Sequence, residues 1–293
     1  MKYLLSALLL LAATISSCQD VEWTKRSGGQ LSIQTSSHAP FPHPKRAAGH
    51  AYGDTLFQFE TSYNDSSIAV FIPDNFIKTE TTDLVFYFHG WGNNIQKSIE
   101  EYNLLDQFSA SHKNAVFIFP EGPKNASDSF GGKLEEKDVF KRLVADVLTF
   151  LQDEKKVDSI RPGNIVLSGH SGAYRVISYI LNRGGLAQNI SEVYLFDALY
   201  AEEEKYAYWL NKYDGRFINI ITPNGGTLDN SEGFLEDLED WGIPFTRVSQ
   251  NEVDSQVLSS EKIVFVFTSL THNEAVYPFF ELALKSGQLK TID

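Results

Sequence analysis

The chain has 293 residues, of which 42% are hydrophobic, and this length is enough for one sizeable core and at most a small second unit. Acidic residues outnumber basic residues by 38 to 25, which gives a formal net charge of −13. A surface of this sign repels phosphate backbones, so nucleic acid is not an expected partner. The single cysteine excludes an intramolecular disulfide and a thiolate metal cluster.

The first residues have the pattern of an exported protein. A positive charge at Lys2 precedes an apolar run over residues 4–13, and small residues then lead to Cys18. This pattern resembles a bacterial lipoprotein signal peptide. The resemblance implies that residues 1–17 are removed and that a lipid on Cys18 anchors the chain to a membrane of the cell envelope. An ordinary cleaved secretory signal with an incidental cysteine is the alternative.

The next segment, residues 18–50, is predicted to be a tether in front of a domain that covers residues 51–293. The segment is rich in Ser, Gly, Pro and His and shows little hydrophobic periodicity. Its histidines His38, His43 and His50 have no usual ligand spacing and no acidic partners nearby, so no metal site is predicted. Beyond the N-terminal run, no stretch approaches the roughly 20 apolar residues that span a bilayer.

Two short β-type runs open the predicted domain. Residues 55–59 and 68–72 are separated by the turn-rich residues 63–66, and this pattern predicts an antiparallel hairpin. Residues 84–88 then form a continuous apolar run, which is typical of a strand buried on both faces. His89-Gly90 follows this strand directly.

From there, strand patterns alternate with helix patterns almost to the C-terminus. This alternation predicts an α/β fold with a mostly parallel central sheet and helices on both faces. Further strands are predicted at residues 115–119, 164–167, 193–196, 217–222, 245–248 and 263–268. Helices are predicted at residues 134–153, 173–181, 202–211 and 231–241.

The strand at residues 164–167 and the helix at residues 173–181 are joined by the turn Gly169-His170-Ser171-Gly172-Ala173. Small residues around Ser171 allow a strained serine backbone and close packing of the helix on the strand. The turn resembles the nucleophile elbow of the α/β-hydrolase superfamily, with Ala173 where that pattern most often has a second glycine. The resemblance implies the α/β-hydrolase fold and a nucleophilic Ser171.

The residues after the apolar run at 84–88 carry a second resemblance. His89-Gly90 is similar to the oxyanion loop of the same superfamily, in which the backbone N–H after the glycine faces the nucleophile. By this match, the backbone N–H groups of Trp91 and Gly172 form the oxyanion hole.

The chain order of Ser171, an acid and His272 agrees with the order in that superfamily. Ser171 needs a base at neutral pH, and His272 is the only histidine beyond the elbow, so it is the candidate base. Asp197 is the favoured acid because it directly follows an apolar strand, where a buried carboxylate needs a partner. Asp229 is the rival by the superfamily's usual placement, and Glu121 is a third candidate.

The commonest activity on this arrangement is hydrolysis of carboxylic esters through an acyl-enzyme, which requires no cofactor and no metal. Together with the signal peptide, the resemblance predicts an enzyme for ester groups of exogenous molecules, including acylated glycans. The aromatic residues Trp91, Tyr174 and Tyr200 either pack against a ring or sugar of the substrate or belong to the core. The alternatives are a peptidase or amidase with the same triad, and a non-catalytic glycan-binding surface lipoprotein.

Overall fold

A 10-stranded sheet forms the centre of the molecule, and a two-stranded sheet lies apart from it. The computed structural model describes residues 21–26 and 28–292. The strands are β1 (Thr24–Arg26), β2 (Gly29–Thr35), β3 (His50–Tyr52), β4 (Thr55–Phe57), β5 (Ser67–Pro73), β6 (Thr82–Phe88), β7 (Val116–Pro120), β8 (Pro162–His170), β9 (Ile190–Phe196), β10 (Arg216–Ile221), β11 (Thr246–Ser249) and β12 (Ile263–Phe267). The helices are α1 (Phe59–Ser62), α2 (Ile95–Glu101), α3 (Leu104–Ala110), α4 (Val139–Asp153), α5 (Tyr174–Arg183), α6 (Glu203–Lys212), α7 (Leu228–Asp240), α8 (Ser255–Ser260) and α9 (Phe279–Ser286).

The large sheet is mostly parallel. Its strands follow the order β1-β2-β5-β7-β6-β8-β9-β10-β12-β11. Every neighbouring pair from β7 to β11 is parallel, whereas β1, β2 and β5 pair in antiparallel fashion. The predicted α/β class is therefore confirmed. Because parallel strands end at the same edge, the residues that follow β6, β8, β9 and β12 meet there.

Helices cover both faces of the sheet. In β6, Leu84 and Phe86 pack into one hydrophobic cluster with residues of α4, α5, α6 and α7. The alternate residues Val85 and Tyr87 pack into a second cluster with residues of α2, α3, α8 and α9. Successive strand residues point to opposite faces, so burial on both sides requires an uninterrupted apolar run. This explains why the inner strands can be predicted from the sequence.

The strand and helix predictions between residues 84 and 268 are confirmed, with ends that differ by a few residues. Four helices were not predicted from the sequence, namely α2, α3, α8 and α9. These helices are six to eight residues long. A run this short shows barely two turns of helical period, which is too little to separate it from a loop.

The prediction that residues 18–50 form a tether is wrong for the part that the structure describes. β2 pairs with β5 along its whole length and belongs to the central sheet. Farther along, Ala39 and Phe41 are fully buried, and Arg46 donates to both carboxylate oxygens of Asp128 at 2.7 and 3.0 Å. The segment is held by long-range contacts, which its weak hydrophobic periodicity does not reveal.

The predicted hairpin of residues 55–59 with residues 68–72 is also wrong. β4 pairs with β3 in the separate two-stranded sheet. β5, which contains residues 68–72, lies between β2 and β7 in the main sheet. The turn residues between the two runs signal a change of chain direction, but they do not select the partner of either strand.

The predicted signal peptide at residues 1–17 and the predicted lipid site at Cys18 lie outside the described residues. Across residues 21–26 and 28–292, no helix is long and apolar enough to cross a membrane. The lipid anchor stays a prediction.

Candidate active site

Ser171 lies on a sharp turn between β8 and α5, at the edge where the parallel strands end. Its φ of +55° is in the left-handed region, which is strained for a residue with a side chain. One turn of 3-10 helix, Ser171–Ala173, leads directly into α5. This backbone conformation places Ser171 at the tip of the turn. Its side chain is half-buried and lines a cavity.

His272 and Asp197 form a hydrogen-bonded pair at the same edge of the sheet. His272 Nδ1 lies 2.6 Å from Asp197 Oδ2. Asp197 follows β9 and is fully buried, whereas the His272 side chain keeps 30% of its exposure. An ionised carboxylate only accepts hydrogen bonds, so Nδ1 carries the hydrogen and Nε2 is left as the basic nitrogen.

Asp197 is held in a cage of donors. The hydroxyls of Thr222 and Thr227 donate to its two carboxylate oxygens, and the Thr222 N–H donates to Oδ1 at 3.3 Å. Gly225 is required here because a Cβ at that position would overlap Oδ2. Burial opposes ionisation, but the hydrogen bonds from His272 and the two threonines outweigh it and hold the pKa of Asp197 below its usual value. Neither threonine was predicted from the sequence.

The other two candidate acids lie elsewhere. Asp229 is exposed in the first turn of α7. Glu121 is buried and contacts a different histidine, His89, with 3.0 Å between Oε1 and Nε2. Of the three carboxylates that the sequence offered, Asp197 is the one that contacts His272.

Ser171 and His272 line the same cavity, which has a volume of about 320 Å³. Trp91 and Tyr200 also line it. The structure thus brings together the four strand ends that the sequence singled out, after β6, β8, β9 and β12. The cavity is large enough for a small ester group, and a substrate there would contact both the serine and the histidine.

The loop after β6 lies directly against the elbow. A Cβ at Gly90 would be 2.5 Å from Ser171 Cβ and 3.1 Å from its Oγ, so only glycine permits this approach. The Trp91 backbone N–H donates to none of the described residues. The Gly172 N–H belongs to the first residues of the 3-10 turn, where helical N–H groups have no partner within the helix. Two backbone donors are therefore available beside Ser171.

Comparison with protein-family models finds no match, and comparison with curated protein sequences finds none either. Solved structures do match. A feruloyl esterase module from Clostridium thermocellum, complexed with sinapinate, superposes with a TM-score of 0.53 at 12% identity over 88% of each chain. A substrate-bound, fluorophosphonate-binding serine hydrolase of Staphylococcus aureus gives 0.55 at 10% identity, over 89% of this chain and 99% of that chain. The chain has the α/β-hydrolase fold.

His170, the residue before the serine, has contacts in this fold that the sequence did not suggest. It is buried, and its Nε2 lies 3.0 Å from the backbone carbonyl oxygen of His272. Because a carbonyl only accepts, Nε2 donates. The two rings lie 4.5 Å apart between centroids. Burial, together with the charge of the neighbouring His272, lowers the pKa of His170 to about 3, so the ring is neutral at physiological pH.

This low pKa predicts a loss of stability in acid. The pKa of an unfolded histidine is about 6.5, so below that pH the unfolded chain binds a proton that folded His170 does not. The contribution is fully present above about pH 6.5 and is lost as the pH falls towards 3. At pH 4.5 we expect His170 to lower the free energy of unfolding by about 2 to 3 kcal/mol relative to pH 7.

Urea denaturation at pH 7 and pH 4.5 checks this expectation. In His170→Gln the amide nitrogen can still donate to the His272 carbonyl, but it does not titrate. The difference in free energy of unfolding between the two pH values should therefore be smaller in the variant by about that amount. Equal pH dependence in the two proteins would show that His170 does not carry the effect.

Two aromatic residues that line the cavity, Trp91 and Tyr200, each lie against a second aromatic ring. Trp91 is 43% exposed, and its ring meets the ring of Tyr52 at 4.9 Å between centroids. Tyr174 and Tyr200 form a second pair at 5.9 Å. Burial raises the pKa of Tyr200 to about 12, and its neutral hydroxyl donates to the Gly225 carbonyl. The sequence offered Trp91, Tyr174 and Tyr200, but it gave no signal for Tyr52 of β3.

Proposed function

We propose that this protein is a serine hydrolase that cleaves carboxylic esters with a triad of Ser171, His272 and Asp197. The observation that carries the proposal is the hydrogen bond between His272 and the buried Asp197, beside a cavity that Ser171 and His272 share. A carboxylate on Nδ1 selects the tautomer in which the neutral ring has its lone pair on Nε2, which is the form that a general base needs.

In the proposed reaction, Ser171 Oγ attacks the ester carbonyl carbon while His272 Nε2 takes its proton. The resulting imidazolium is stabilised by Asp197. It then gives the proton to the alcohol oxygen as the bond between that oxygen and the carbonyl carbon breaks, which leaves the acyl group on Ser171. Water repeats the sequence on the acyl-enzyme, releasing the acid and restoring Ser171. The negative charge on the carbonyl oxygen is stabilised in both halves by the backbone N–H groups of Trp91 and Gly172.

The substrate that we propose is an ester of an exogenous molecule, such as an acylated glycan. The exposed ring of Trp91 at the cavity mouth offers a flat surface on which a sugar or an aromatic acyl group packs. One structural neighbour is a feruloyl esterase module with sinapinate bound, and this supports an aromatic acyl group as a candidate. A lipid on Cys18 would hold the enzyme in the cell envelope, where such substrates occur.

Turnover of p-nitrophenyl acetate and butyrate by the detergent-solubilised full-length protein tests the activity. Serine-dependent release of p-nitrophenol is the expected result. Peptide p-nitroanilides, assayed in parallel, test amide hydrolysis at the same site. Turnover of the anilides without turnover of the esters would favour the peptidase or amidase reading, and no turnover of either would favour the binding protein.

The role of the Trp91 ring predicts a selective effect on affinity. Trp91→Ala keeps the backbone N–H but removes the indole, so KM for an aromatic acyl ester such as ethyl ferulate should rise roughly 3-fold to 10-fold, with a smaller rise for p-nitrophenyl acetate. Trp241→Ala is the matched control because Trp241 is 53% exposed and lies at the end of α7. Equal changes in KM for both esters would argue against packing on Trp91.

A further inference from the structure

We infer that His89 and Glu121 form a positioning pair, which fixes the direction of the Trp91 backbone N–H. This inference rests on the proposed function, in which that N–H stabilises the oxyanion. In this inference, the role of Glu121 differs from the role of the acid in the triad. The two side chains are almost completely buried, with 1% and 3% of their side-chain surface exposed.

The first contact of the pair is with the loop itself. His89 Nδ1 lies 2.7 Å from the Gly90 carbonyl oxygen, and because a carbonyl only accepts, Nδ1 donates. The Gly90 carbonyl and the Trp91 N–H belong to the same peptide unit, which is trans. In a trans peptide these two groups point in opposite directions. Holding the carbonyl at His89 therefore directs the N–H away from His89.

The second contact anchors His89. Its Nε2 accepts from the Gly122 N–H, with 3.1 Å between the two nitrogens, and lies 3.0 Å from Glu121 Oε1. The other carboxylate oxygen of Glu121 accepts from the Ile95 N–H at 3.2 Å. Glu121 directly follows β7, and its own N–H donates to the Ser67 carbonyl at 2.9 Å. The chain of contacts thus runs from the rigid end of a central strand to the peptide beside Ser171.

Gly90 is the reason that such an anchor is needed. The close approach to Ser171 requires glycine at this position. Glycine is also the residue whose backbone rotates most freely, so the peptide plane that follows it is only weakly restrained by its own backbone. An oxyanion donor stabilises charge only if it is already aligned, and a rotated peptide would present its carbonyl oxygen instead. A fixed hydrogen bond to the Gly90 carbonyl prevents that rotation.

Two substitutions of His89 separate the two contacts. In His89→Asn, the amide nitrogen occupies approximately the place of Nδ1 and still donates to the Gly90 carbonyl. In His89→Gln, the amide reaches the place of Nε2 and keeps only the contact with Glu121. We expect His89→Gln to lower kcat about 100-fold with KM within about 3-fold of wild type, and His89→Asn to stay within about 10-fold in kcat.

Glu121→Gln adds a variant outside the loop. It keeps the size of the side chain but replaces the carboxyl group that faces His89 Nε2, so kcat should fall about 10-fold while KM stays near the wild-type value. Affinity for a boronic acid, which resembles the tetrahedral intermediate, should fall in step with kcat/KM across the series. His43→Gln is the control, because His43 is also buried and contacts a glutamate, Glu136, at 3.0 Å. It should leave kcat unchanged.

All variants are assayed as the detergent-solubilised full-length protein, with thermal unfolding measured beside each. Wild-type kcat in His89→Gln, or equal losses in His89→Asn and His89→Gln, would overturn the positioning role while leaving the proposed hydrolase intact. Unchanged boronic acid affinity in His89→Gln would also overturn it. Absence of Ser171-dependent turnover in the wild-type protein would instead overturn the proposed function and this inference together.

Discussion

Replacing Ser171 by alanine is expected to lower kcat for ester hydrolysis by about 10⁴-fold to 10⁶-fold. Without Oγ there is no attacking atom and no acyl-enzyme, and only the oxyanion donors and substrate binding remain. KM should change little because the cavity walls are kept. Stability should not fall, because alanine removes one half-buried hydroxyl and the strained φ of +55° is no worse for alanine than for serine.

Steady-state kinetics with p-nitrophenyl butyrate measures this effect. Ser259→Ala is a suitable control, since Ser259 is exposed on α8 and its hydroxyl donates only to the Gln256 carbonyl within the same helix. The control should keep the wild-type kcat. If Ser171→Ala retained a tenth or more of the wild-type kcat, Ser171 would not be the nucleophile.

Asp197→Asn is expected to lower kcat by about 10⁴-fold at pH 7. An asparagine in the donor cage can present its NH₂ to His272, and the imidazole then carries its hydrogen on Nε2, where it cannot accept the Ser171 proton. The charge that stabilises the imidazolium is lost as well. The fold should survive, because the Thr222 N–H and the Thr227 hydroxyl can still donate to the amide oxygen, while the Thr222 hydroxyl can accept from the amide nitrogen.

Asp229→Asn is the matched control for this prediction, since Asp229 is the rival acid by its place in the chain and is exposed on α7. It should leave kcat within about 2-fold of wild type, as surface substitutions usually do. A large loss in Asp229→Asn together with activity in Asp197→Asn would reverse the assignment. The comparison uses the same aspartate-to-asparagine change at both sites, so a general effect of lost charge cancels.

The inner strands and the elbow were predictable because their signals are local. A strand that is buried on both faces must be apolar throughout, as β6 is, and a strained turn between strand and helix needs small residues near Ser171. The N-terminal strands were not predictable in the same way. β2 lies near the edge of the sheet and Ile33 within it is 51% exposed, so its hydrophobic pattern is weak.

The site was predictable only in part. The sequence named Ser171, His272 and three possible acids, but the choice among the acids depends on which carboxylate lies next to His272 in space. That distance is set by the order of the strands in the sheet, which no short pattern encodes. The donor cage of Thr222 and Thr227 and the ring of Tyr52 are long-range features of the same kind.

The roles of His89 and His170 show a similar limit. His89 belongs to the His89-Gly90 pair and His170 to the turn around Ser171. The sequence gave neither histidine a role of its own. Their hydrogen bonds to the carbonyls of Gly90 and His272 depend on side-chain direction, which the motif does not specify. The geometry places one histidine behind the loop that follows β6 and the other behind the loop that carries the candidate base.

Whether Ser171 is an activated nucleophile can be tested by labelling with a fluorophosphonate, followed by peptide mass spectrometry. The reagent bonds covalently to a serine that an adjacent base activates. We expect one adduct, on the peptide that contains Ser171, and no adduct in Ser171→Ala. An adduct on another residue, or no adduct in a preparation that hydrolyses esters, would contradict it.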